Sequence, residues 1–312
     1  MNGAPSRVVL ITGASSGIGR ATALLAAGRG DHLVLVARGE GPLAEVAEEC
    51  AGAGAASVMV LSADVADDAA VQRAVAAALD RHGTLDAVVH SAGVVAYGRL
   101  PEVPTDVFDR VVRTDLLGSA NVARAVLPGM RDRDHGHLVL LGSLLGQMAP
   151  PYMSAYAVSK WGVRGLARML VIENRDRRGV HISLVSPGGV DTPIYLQAAN
   201  YLGQVGRPPP PVLSPEKVAR VVMRTIDRPR ARVQVGVFNP LIIFGFSALP
   251  GLFDSLVTPL FEVAATDTRH AVGPGTGNVF SSASDGNRLR GAQGNPVTSI
   301  VAGVRRKIRG RR

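Results

Sequence analysis

Apolar and polar positions alternate between two rhythms over the first three-quarters of the chain. Short runs rich in β-branched residues read as buried strands at residues 7–12, 32–37, 57–62, 85–90, 137–142, 180–185 and 232–235. Between them lie longer, alanine-rich segments with helical spacing, at 17–29, 41–53, 67–82, 105–131 and 152–178. Strand followed by helix, repeated six times, predicts an α/β fold. It is a doubly wound, Rossmann-like parallel sheet covered by helices on both faces and joined by right-handed crossovers. Ligands of such sheets bind beyond the carboxyl ends of the strands, near the point where strand order reverses.

The rhythm stops near Gly236, so residues 1–236 are expected to form a single domain. Within it, 193–215 is an insertion with four consecutive prolines, Pro208 to Pro211, and is expected to be an extended lid over a pocket. Residues 237–267 form an apolar extension in which Asp254 is the only charge between Pro240 and Phe261. That stretch approaches the length of a membrane span, but Pro250 and Asp254 sit in its middle. Packing against the core, the lid or a sister subunit ranks first for it, and a monotopic membrane contact second. Residues 268–312 are expected to be a flexible, Gly/Ser/Asn-rich segment ending in a basic tail.

Composition adds limits. With 312 residues, 46% hydrophobic and 19% charged, the chain is globular and not disordered. Its single cysteine, Cys50, excludes an internal disulfide framework and a cysteine-rich zinc site. No His-Glu-x-x-His string occurs, and His135 and His137 beside a glycine read as a turn, so no metal is expected. The formal charge is +9, and Arg305, Arg306, Lys307, Arg309, Arg311 and Arg312 supply six of it. The excess is a tail. It reads first as a solvated end, second as an anchor to an anionic membrane surface, and not as a nucleic-acid site, because no aromatic platform accompanies it. The first apolar run, 8–11, is cut short by Thr12 and Gly13, so no secretory leader is read there. The cytoplasm is the expected location, with the inner face of the membrane as a peripheral alternative.

The candidate chemistry starts at Thr12-Gly13-Ala14-Ser15-Ser16-Gly17-Ile18-Gly19, between the first strand and the first helix. Glycines there permit a tight turn and close approach of a pyrophosphate, and the helix N-terminus supplies free N–H groups. The second strand ends at Ala37-Arg38, with no carboxylate for a ribose hydroxyl. Arg38 could instead fork onto a 2′-phosphate, which favours NADP(H) over NAD(H). Tyr156 and Lys160 lie four apart on a predicted helix and so share a face. An ammonium there would favour the phenolate and lower the tyrosine pKa. Ser143, at the end of the preceding strand, could hold a substrate oxygen.

Taken together, TGASSGIG, Asp64-Val65, Ser91-Ala92-Gly93, Ser143, Tyr156-Ala157-Val158-Ser159-Lys160 and Pro187-Gly188 with Thr192 resemble a single-domain short-chain dehydrogenase/reductase over residues 7–236. The resemblance implies that Gly13, Ser15, Ser16, Gly17, Ile18 and Gly19 cradle the cofactor. It places Asp64 and Val65 at the adenine, and Ser91, Ala92 and Gly93 along the channel. Pro187, Gly188, Val190 and Thr192 would stand at the nicotinamide end. It also makes Tyr156 the proton donor or acceptor, has Lys160 bind the nicotinamide ribose, and lets Ser143 position the substrate oxygen. Two positions depart from the family pattern: His90-Ser91 stands where Asn-Asn is usual, and Asp115 takes the place of the fourth catalytic residue, an asparagine. His90 is expected to be a hydrogen-bonded sheet residue. Asp115 is expected to hold a water and retain activity with a shifted pH profile.

The resulting reading is an NADP(H)-preferring oxidoreductase for a carbonyl or secondary alcohol on a small, hydrophobic molecule. A homo-oligomer through the helices carrying Asp115 and Tyr156 is implied by the resemblance. The alternatives are a cofactor-binding regulator, or a membrane-recruited scaffold on the same fold with little turnover.

Overall fold

The computed structural model describes residues 6–283 and 286–291. In chain order its elements are β1 (Val8–Thr12), α1 (Gly17–Ala27), β2 (His32–Ala37), α2 (Glu40–Gly52), β3 (Ser57–Ser62), α3 (Asp68–His82), β4 (Ala87–His90) and β5 (Ala96–Tyr97). There follow α4 (Thr105–Val112), α5 (Gly118–Asp132), β6 (Gly136–Leu141), α6 (Ser154–Glu173), β7 (Val180–Pro187), β8 (Ala199–Asn200) and β9 (Gln204–Gly206). The chain continues through α7 (Pro215–Asp227), β10 (Arg232–Val235), α8 (Asn239–Ala248), α9 (Pro250–Ala264) and β11 (Thr266–Ala271).

Seven strands form one sheet in the order β10-β7-β6-β4-β1-β2-β3. Every pair in it is parallel, as the doubly wound pattern requires. Strand order reverses between β1 and β4, which opens a crevice at their carboxyl ends. The strands are apolar on both faces because both are covered. Val8 and Leu10 point into one layer with α3, α5 and α6, whereas Val9 and Ile11 point into the other with α1, α2 and α7. Each such fully buried side chain contributes about 1.5–3 kcal/mol relative to exposure. The helices are bounded by ordinary signals. Asp67 caps α3 by accepting from the Ala70 N–H, and Gly83 ends it at φ 73°. Ser214 caps α7, with Pro215 at its first position.

The structure departs from the sequence pattern in four places. The expected helix 105–131 is interrupted by a π-helical turn, Arg113–Leu117, where the inserted residue turns Thr114 and Asp115 into the interior. The proline-rich insertion is not a free connector. Its β8 pairs with β5, and its β9 pairs antiparallel with β11. The apolar run folds as two helices, α8 and α9, that meet at Leu249–Pro250. Among the described residues no helix is long and apolar enough to cross a membrane. Finally, part of the segment expected to be flexible forms β11, and residues 276–283 and 286–291 lie across the crevice at the switch point. The basic tail and residues 292–297 lie outside the described residues.

The α8–α9 hairpin is tied to the domain by aromatic and polar contacts. Phe246 stands edge-on to Trp161 with ring centroids 6.0 Å apart, and Trp161 Nε1 donates to the Met148 carbonyl at 3.3 Å. On the far side the Tyr152 hydroxyl donates to Glu262 Oε1 at 3.0 Å. Leu241, Phe244, Leu252, Leu256 and Leu260 remain exposed on the hairpin.

Candidate active site

The glycine-rich turn between β1 and α1 is shaped by close backbone approach. Gly13 has φ 67°, and a Cβ there would stand 2.7 Å from the Ala92 nitrogen. A side chain at Gly19 would collide with the Gly13 carbonyl. Ser16, before α1, makes no side-chain cap, so the helix N-terminus keeps donors facing the crevice. The crevice is lined by Gly13, Ser15, Ser16, Gly17, Ile18, Arg38, Asp64, Val65, Ser91, Ala92, Gly93 and Thr192. These positions come from the ends of β1, β2, β3 and β4 and from the loop after β7. This glycine cradle at a helix N-terminus fits the diphosphate of a dinucleotide. Pro187, Gly188 and Val190 lie further along, against the neighbouring cavity.

That cavity encloses about 760 Å³ and holds Ser143, Tyr156 and Lys160 at its base. The Tyr156 phenol shares the cavity with Ser143, whose Oγ accepts from the Leu145 N–H at 3.1 Å. Lys160 Nζ donates to the Leu141 carbonyl at 3.2 Å and stands 5.4 Å from the Tyr156 ring centre. Its carboxylate partner is Asp115, with Nζ 3.7 Å from Oδ2. Asp115 Oδ1 accepts from the Val94 N–H at 2.8 Å, which fixes the strand end that carries Ser91 to Gly93.

Burial dominates the electrostatics. The Asp115 carboxyl is pushed up to about 6 by burial, against the pull of Lys160 and the Val94 N–H. The expectation of a lowered tyrosine pKa is corrected. Burial, and then the Asp115 charge, push the Tyr156 phenol well above its ordinary value, while Ser143 acts the other way. The ammonium is engaged by Asp115 and Leu141 and does not reach the hydroxyl. His90 behaves as a sheet residue. Its Nδ1 pairs with Thr12 Oγ1 at 2.8 Å, and burial followed by the Lys160 charge lowers its pKa to about 3.

Several participants carry no motif. Tyr97 and Tyr195 line the cavity, as do Leu241, Leu252, Leu256 and Phe261 from the hairpin. Arg110 on α4 pairs with Asp64. Asn278, Ser282 and Asn287 line the crevice from the carboxyl-terminal segment. The only sequence signal for the hairpin wall is the long, nearly uncharged run itself. No metal-ligating cluster is present among the described residues.

The chain is similar to known proteins in sequence and in fold. The family profile for short chain dehydrogenase matches residues 7–200. "Dehydrogenase/reductase SDR family member 7B" of Danio rerio is 30% identical over 277 residues, covering 86% of this chain and 87% of the relative. The crystal structure of a Burkholderia phymatum short chain dehydrogenase/reductase in complex with NAD superposes with a TM-score of 0.71. It is 27% identical and covers 81% of this chain and 96% of its own. An alcohol dehydrogenase from the archaeon Thermococcus sibiricus, complexed with 5-hydroxy-NADP, gives 0.64 at 29% identity, covering 74% and 95%.

Proposed function

The chain belongs to the short-chain dehydrogenase/reductase family, and we propose that it is an NADP(H)-preferring reductase of a carbonyl group on an apolar molecule. One observation carries the reading: Ser143, Tyr156 and Lys160 stand together at the base of a large apolar cavity next to the glycine-rich crevice. When bound, the nicotinamide supplies the hydride. The chain's own groups supply geometry and a proton. Ser143 orients the substrate oxygen, and Tyr156 donates its phenolic proton to it. At neutral pH the Tyr156 phenol holds its proton, so it can donate to the oxygen that develops negative charge when the carbonyl is reduced. Lys160, held by Leu141 and Asp115, would bind the nicotinamide ribose through its ammonium.

Two features support NADP(H): the absence of a carboxylate at Ala37, and the guanidinium of Arg38 at the crevice. The apolar wall from α8 and α9 supports a hydrophobic substrate. Exposed Leu117, Val158, Met169 and Ile172 support a homo-oligomer through the helices that follow Asp115 and carry Tyr156; sedimentation equilibrium of the wild type against Met169→Glu tests it. The exposed leucines of the hairpin support a second property, peripheral contact with a lipid surface.

The decisive experiment pairs cofactor titration with turnover. NADPH should bind more tightly than NADH, and Arg38→Asp should weaken NADPH alone. Tyr156→Phe should retain binding while reduction of apolar ketones and aldehydes falls by about 10²–10⁴-fold. Failure of the wild type to bind either cofactor overturns the enzyme reading.

A further inference from the structure

The carboxyl-terminal segment meets the same donors that a phosphorylated cofactor needs. Arg38 Nη2 donates to the Asn278 carbonyl at 2.5 Å and to that of Ser281 at 3.4 Å, and Nη1 donates to Val279 at 3.0 Å. At the other end of the crevice the Gly17 N–H, at the start of α1, donates to the Arg288 carbonyl at 3.0 Å. Arg20, one turn further along α1, reaches the Asn287 carbonyl at 3.4 Å. The donors reserved for a 2′-phosphate and a diphosphate are therefore engaged by main-chain carbonyls of the chain's own end.

The segment is seated, not loosely draped. Val279 is fully buried against Val94, Val107 and Val111. Gln197 bonds Asn278 and Asn287 through its side chain, at 3.1 and 3.0 Å. Arg290 pairs with Glu216 at 2.9 Å on the surface, a contact of small worth.

Resting on the nicotinamide reading above, we propose that residues 276–283 and 286–291 are a displaceable cover of the cofactor crevice that selects for the 2′-phosphate. A carbonyl oxygen and a phosphate oxygen cannot occupy the same face of the Arg38 guanidinium. A phosphate carries a full charge and can fork onto the guanidinium, whereas the carbonyls it displaces are neutral acceptors, so a 2′-phosphate replaces the carbonyls and the cover lifts. A dinucleotide without that group must lift the cover with no compensating contact at Arg38. The cover therefore disfavours NAD(H) more than Arg38 alone does.

A tether tests this directly. A Cβ built at Gly39 lies 3.2 Å from the Ser282 Cβ, close to the roughly 3.5–4.5 Å that a disulfide spans. Gly39 has φ −98°, which a cysteine adopts freely. The double variant Gly39→Cys with Ser282→Cys locks the cover down when oxidised and frees it when reduced; the native Cys50 is buried. NADPH binding, read by ligand fluorescence, should weaken by about tenfold or more on oxidation and recover with dithiothreitol. Equal affinity in the two states overturns the proposal and leaves the cofactor reading intact. No NADPH binding by the wild type removes both. In the wild type, amide hydrogen exchange of the 276–283 stretch should quicken when NADPH binds; slower or unchanged exchange also overturns the cover.

Discussion

Asp115 and His90 are both buried near Lys160, and they set opposite pH dependences. The His90 pKa falls to about 3 in the folded protein, so between there and its unfolded value near 6.5 the unfolded chain binds the extra proton. Its contribution to stability therefore rises with pH through that window. The Asp115 pKa rises from 3.8 to about 6, so in that interval the folded protein holds the extra proton and stability falls as pH rises. The two partly cancel. Asp115→Asn removes the falling component, and urea melts between pH 4 and 6 should show a steeper rise of stability with pH than in the wild type. The same variant removes a charge that holds the Tyr156 phenol up, so an apparent pKa of the reduction rate should move down. An unchanged stability profile means that the Asp115 pKa is the same in the folded and unfolded chain, and an unchanged rate profile means that its charge does not act on Tyr156.

At the level of single elements, glycines separate function from mere tolerance. Gly13 turns at φ 67° against the Ala92 backbone, so Gly13→Val is expected to cost about 1–3 kcal/mol and to abolish NADPH binding. Gly165 lies within α6 with nothing within 4 Å of an added Cβ, and Gly165→Ala should stabilise by about 0.5–1 kcal/mol. Thermal melts of the two variants should move in opposite directions. The elements themselves were mostly legible in the sequence, because a strand buried on both faces must be apolar throughout, as in Val8 to Ile11. The π-helical turn at Asp115 was not, since one extra residue leaves the helical period of 105–131 almost unchanged. Likewise Gly13, Ser143, Tyr156 and Lys160 follow strand ends or helical spacing and could be placed in advance. Arg110 at Asp64, and Tyr97 and Tyr195 in the cavity, meet their partners only through tertiary packing.

Across the whole molecule, the carboxyl-terminal quarter completes both compartments. Its helices wall the apolar cavity, β11 pins the insertion through β9, and the following segment covers the crevice. Composition could mark residues 268–291 only as glycine- and serine-rich, because their order comes from Val279, Asn278 and Arg38 meeting across the fold. Phe244 is exposed on the hairpin outside the cavity lining, so wild-type protein should co-float with anionic vesicles and Phe244→Gln should reduce that fraction. Wild type that stays at the bottom of the gradient removes the lipid contact.

The chain has one tryptophan, and its indole rests edge-on against Phe246 of α8. Trp161 thus lies at the seam between domain and hairpin and away from the dinucleotide crevice. Its intrinsic emission is a label-free gauge of whether the hairpin is seated. Lifting α8 off the domain would wet the ring and red-shift its spectrum, so the opening of the substrate compartment can be timed in a stopped-flow cell without attaching a dye.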